Sequence, residues 1–122
     1  MAYSMEYRAY VEELLQPVGK VTTRGMFGGV GVFYRGLMFA LIADDELYFK
    51  VDDGNRGDYE AMAAGPFTYA AKGGKRAVMS YYRVPDEIAD NEDDVLDWAR
   101  KSVDAALRAE SAKAPKKKRR KT

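Results

Sequence analysis

Between Met26 and Val51 the chain reads MFGGVGVFYRGLMFALIADDELYFKV, three consecutive apolar, strand-like runs separated by short turns. Val30, Val32 and Tyr34 alternate with Gly29, Gly31 and Phe33. Leu37 to Ala43 follow the break at Arg35-Gly36, and Leu47 to Val51 follow Asp44-Asp45-Glu46, with Leu47, Phe49 and Val51 on one face. The spacing predicts a β-meander on which the rest of the chain must pack. Glycines at 25, 28, 29 and 31 are dense for a strand and imply a bulge or a close approach by another backbone. The first strand is therefore expected to bend, with Val21 to Arg24 leading into it through Gly25.

The flanking segments supply helices and a hairpin. Ser4 is a candidate N-cap, and Tyr7, Val11, Leu14 and Leu15 recur at helical spacing up to the stop at Pro17. After Val51, the run Asp52-Asp53-Gly54-Asn55-Arg56 signals a helix start, with Tyr59, Met62 and Ala63 facing inward before Gly65-Pro66. Phe67 to Ala71 and Arg76 to Arg83 read as two strands joined at Lys72-Gly73-Gly74-Lys75. Past Pro85 and one helical turn, Asp90 or Asn91 caps a final helix whose stripe is Val95, Trp98, Ala99, Val103, Ala106 and Leu107. The expected order is helix, three strands, helix, two strands, helix. That is a two-layer α+β fold, a largely antiparallel sheet with helices on one face.

At 122 residues one domain is expected, spanning 1–110, followed by a basic segment over 111–122 that has nothing to bury and is expected to be disordered. The net charge of +1 hides a division of sign. Residues 1–112 carry 13 basic and 19 acidic side chains, while Lys113, Lys116, Lys117, Lys118, Arg119, Arg120 and Lys121 stand with no acid among them. The chain has neither cysteine nor histidine. The first absence excludes a disulfide scaffold, and the two together exclude thiolate chemistry, the usual triads and the usual transition-metal sites. Carboxylates, lysine and tyrosine remain, and no motif isolates a catalytic pair among them. The expectation is a protein that is not an enzyme, without cofactor or metal. No apolar run of membrane length and no export signal is present, so a cytoplasmic location is expected.

Three pieces come in order with compatible spacing: MFGG at Met26 to Gly29, LYFKVD at Leu47 to Asp52, and MSYYRVP at Met79 to Pro85, followed by a closing DWAR. On these the chain resembles the N-terminal domain of the TfoX/Sxy family of bacterial competence regulators, from about Leu14 to Leu107. The resemblance implies an α+β fold and a role in transcriptional regulation, where the founding members promote DNA-uptake genes together with the cyclic-AMP receptor protein. It brings no catalytic residues. The founding regulators have a helical second domain where this sequence has its basic segment.

Two surfaces carry candidate interactions. Residues Lys113, Lys116 to Lys118, Arg119, Arg120 and Lys121 attract polyanions and are expected to bind nucleic acid without sequence preference; the bland alternative is a solubilising segment or one lying on the acidic body. Around the hairpin, Tyr69, Lys72, Lys75, Arg76, Tyr81, Tyr82 and Arg83 interleave cations with tyrosines, a pattern that suits bases or a protein partner. Period-two alternation predicts the same residues in a solvated hairpin with no ligand. Gly28-Gly29-Val30-Gly31 lacks phosphate-loop spacing, and Asp44, Asp45, Glu46, Asp52 and Asp53 fit a turn and a helix N-terminus better than a cation site. Patterning does not separate a half-buried sheet face from a homodimer interface, so a second copy stays open beside a foreign protein partner.

Overall fold

The structure, a computed structural model, describes residues 4–26, 28–70 and 76–121, with the side chains of all these except 69–70, 76–79 and 113–121. Six strands form one antiparallel sheet: β1 (Val21–Met26), β2 (Gly29–Tyr34), β3 (Leu37–Ala43), β4 (Glu46–Lys50), β5 (Pro66–Ala70) and β6 (Arg76–Arg83), in the order β1-β2-β3-β4-β6-β5. Around it lie α1 (Met5–Leu15), continued by a 3-10 turn at Gln16–Val18, then α2 (Arg56–Ala61), α3 (Asp86–Ala89) and α4 (Glu92–Lys121). The α+β class and the antiparallel sheet agree with the sequence reading.

The meander forms where turn chemistry allows it. Arg35 and Gly36, at φ 53° and 80°, and Asp44 and Asp45, at φ 54° and 57°, each make a two-residue connection with both residues left-handed. This is the hairpin geometry that matches strand twist. One correction concerns the first strand. It does not bend: Val21–Met26 is a strand of its own, paired one to one with β2 from Val21↔Tyr34 to Met26↔Gly29, with Gly28 at φ 73° in the turn. The first run of strands therefore numbers four. The bulge lies elsewhere, on β3. Val32 pairs Ala40 while Phe33 pairs Met38, leaving Phe39 without a partner. Two β3 residues then oppose one of β2, and both Phe39 and Ala40 turn to the same side.

That side is the core. Val30, Val32, Phe39, Ala40, Ile42, Leu47, Phe49 and Val51 of the sheet and its end form one buried cluster with Val11 and Leu15 of α1, Tyr59 of α2, and Val95, Ala99, Val103 and Ala106 of α4. Ser4 caps α1 by accepting from the Tyr7 N–H, and Asn91 caps α4 by accepting from that of Asp94. Two expected inward residues face water instead. Ala63, at φ 58°, closes α2 from an exposed position, and Leu107 is 41% exposed at the edge of the α4 stripe. The basic residues from Lys113 to Lys121 lie on the α4 backbone, their side chains outside the described residues.

The expected close approach is real at Gly29, where a Cβ would clash with the carbonyl oxygen of Ile42. Backbone cannot yield there as a side-chain end can. Gly57, inside α2, faces open space. Gly29→Ala should therefore lower stability by about 1–3 kcal/mol, whereas Gly57→Ala should raise it by about 0.5–1 kcal/mol, both read from urea unfolding midpoints.

Candidate interaction surface

The motif LYFKVDDGNR closes β4 and carries the chain into α2, and Asn55 and Asp52 within it hold neighbouring structure while Asp53 faces solvent. The Lys50 carbonyl accepts from Asn55 Nδ2 at 3.0 Å and from Ser102 Oγ of α4 at 2.8 Å. Asn55 Oδ1 accepts from the Asp52 N–H, and both Asn55 and Ser102 are buried. Asp52 receives two hydrogen bonds from Arg108, each 2.7 Å, and one from the Gly54 N–H. The motif is thus a joint that ties α4 to the sheet. Nearby, the Tyr59 ring packs on Trp98 and Tyr82, with its buried hydroxyl close to Ser102.

Of the hairpin set, the side chains of Tyr69, Lys72, Lys75 and Arg76 lie outside the described residues, as do those of Lys113, Lys116, Lys117, Lys118, Arg119, Arg120 and Lys121. The other three have partners within the domain. Tyr82 packs on the core against Tyr59. Tyr81 is 6% exposed, donates its hydroxyl proton to the Met38 carbonyl beside the bulge, and lies under the Lys50 ammonium. Burial pushes its phenol up to about 12. Arg83 bridges Glu46 at 2.6 Å and Asp86 at 2.9 Å. Sequence reading places these residues at a hairpin but not their burial, because alternation does not say which face a neighbouring strand covers.

Opposite the helices, the sheet presents a smaller apolar face. Phe33 and Met26 fill the space over Gly31, Arg24 lies over the Phe33 ring, and Tyr48 meets Phe67 edge to face at 5.0 Å. Leu41 is 1% exposed yet belongs to no part of the main core. Among the described residues no group of three or more acidic side chains is placed to hold a metal ion, and no helix is long and apolar enough to cross a membrane.

A third region, missed by sequence reasoning, lies between α1 and α3. Tyr7 and Tyr10 stack with centroids 6.1 Å apart beside two adjoining hollows of about 470 and 270 Å³ that meet at Ala89. Tyr10, Glu13, Leu14, Asp90 and Glu92 line the larger. Burial first, then the neighbouring Tyr10, Asp45 and Glu46, push the Tyr7 phenol up to about 12, the sign of a negative local field. The sequence signal was the excess of acids over 86–97, which looked like helix caps alone.

The molecule is a small α+β domain in which several of the described charged groups, Asp52, Arg83, Lys101 and Arg108 among them, serve its own joints. The chain belongs to the TfoX N-terminal domain family of competence-related regulators, which it matches over residues 13–106. It is 25% identical over 113 residues to Protein Sxy of Escherichia coli (strain K12), covering 93% of this chain and 53% of that protein. It therefore spans about half the length of that curated relative.

Arg108 holds the Asp52 carboxyl below its usual range, chiefly through their hydrogen bonds, against the raising effect of burial. A carboxyl lowered on folding stabilises the fold above its unfolded value of about 3.9 and loses that contribution as pH falls through the lower folded value. Arg108→Ala should therefore lose less stability than the parent between about pH 5 and about pH 2, measured as the fall in unfolding midpoint.

Proposed function

We propose that this chain is a non-enzymatic regulatory module that works in the cytoplasm through contacts with a protein partner in transcriptional control of competence-type genes. The family match over residues 13–106 carries the reading. The chemistry of the chain supports it: histidine and cysteine are absent, and Arg56, Arg83, Lys101 and Arg108 are all engaged in ion pairs. Removing the gene from its host should lower transcripts of DNA-uptake genes, and restoring it should return them. An unchanged transcript profile would sink the transcriptional reading.

A second reading rests on the separation of charge. Seven cations over residues 113–121 follow a body with six more acids than bases. Such a segment supplies salt-sensitive, sequence-independent affinity for nucleic acid, with log K falling by about 0.9 per phosphate contact on duplex for each tenfold rise in salt. Replacing Lys116 to Lys121 by serine in the full chain should abolish binding to labelled duplex and single-stranded DNA across a salt series. Equal binding by the two proteins would remove the segment from that role.

A further inference from the structure

We propose that the acidic cleft between α1 and α3 receives the basic segment, residues 113–121, of a second copy of this chain. The cleft joins two features that bind lysine and arginine. Stacked Tyr7 and Tyr10 offer faces for cations and their methylene stems, and carboxylates stand on both sides to meet the charged heads. Glu13, Asp90 and Glu92 make no ion pair among the described residues, whereas Arg83, the one described cation lining the smaller hollow, is already held by Glu46 and Asp86. The cleft therefore keeps uncompensated negative charge. It also keeps uncovered aromatic surface on α1, since Tyr10 is 52% exposed.

Charge names the occupant. The cleft belongs to a body with six more acids than bases, and residues 113–121 hold seven cations and no acid. Geometry then selects a second copy over the same one. Helix α4 begins at Glu92, on the rim of the cleft, and runs 30 residues to Lys121. At about 1.5 Å per residue it carries its last turn roughly 45 Å away from the cleft. An antiparallel partner brings its own last turn back to that rim. Two clefts then take two segments under one twofold axis, a closed arrangement in which each contact raises the effective concentration of the other. Individual exposed ion pairs are weak and screened by salt, so the association depends on their number and on low ionic strength. A segment docked in this way is withheld from polyanions, and polyanions compete with the dimer.

The test is a charge exchange on the full chain, followed by sedimentation across a salt series with circular dichroism to verify folding. The parent should associate at low salt, with the dissociation constant rising about tenfold or more over a tenfold rise in salt. Glu13→Lys, Asp90→Lys and Glu92→Lys together should give a monomer, as should Lys116→Glu, Lys117→Glu and Lys118→Glu together. Mixing the two folded variants should restore a dimer, because each then offers the charge the other lacks. A parent that stays monomeric at low salt would overturn the proposal. So would a cleft-reversed variant that associates undiminished, or a mixture that stays monomeric.

Discussion

One carbonyl, that of Lys50, fixes how the helical layer sits on the sheet. It accepts from Asn55, which turns the chain out of β4, and from Ser102, in the middle of α4. A part-buried carbonyl with two donors leaves little freedom to either element. Arg108 adds a second clasp less than two turns along α4, on Asp52. With these in place, Ala99, Val103 and Ala106 meet the face made by Ala40, Ile42 and Phe49, and the core closes. Asp52 and Asn55 of LYFKVDDGNR therefore serve attachment, which explains why a polar stretch can sit against the inner side of α4.

The four-strand meander was legible where the turn residues matched the turn. Arg35-Gly36 and Asp44-Asp45 announce hairpins, since glycine and aspartate reach left-handed φ at low cost. The turn after Met26 was hidden by the apolar residues around it, which continue the strand pattern, and so one bent strand was expected where there are two. The β3 bulge was hidden for another reason: Leu37 to Ala43 is apolar throughout, so no alternation existed to be broken. Glycine density did report a real constraint, the contact of Gly29 with the Ile42 backbone.

The surfaces were less legible than the fold. Tyr81, Tyr82 and Arg83 have the composition of a recognition patch, but packing buries Tyr81, half-buries Tyr82 and gives the arginine two carboxylates, Glu46 of β4 and Asp86 of α3. The aromatic and acidic side chains around α1 and α3 come from segments some 80 residues apart in the chain, and only their packing makes them one cleft. Charge along α4 was readable throughout. Its acidic first turn and basic last residues both suit the helix dipole, so the separation of sign favours the helix itself as well as any partner.

The order of the elements has a consequence for synthesis. Strands β1 to β4 pair one after another in sequence order through short connections, with β6 joining the far edge of β4 later, so a chain leaving the ribosome can complete the meander early. The helix that covers them comes last. Until α4 emerges, the faces of Val32, Ile42 and Phe49 stand open to water and to other nascent chains. The interval between making the sheet and making its cover is the stage at which this protein is most exposed to misassembly, and the place where a chaperone would act.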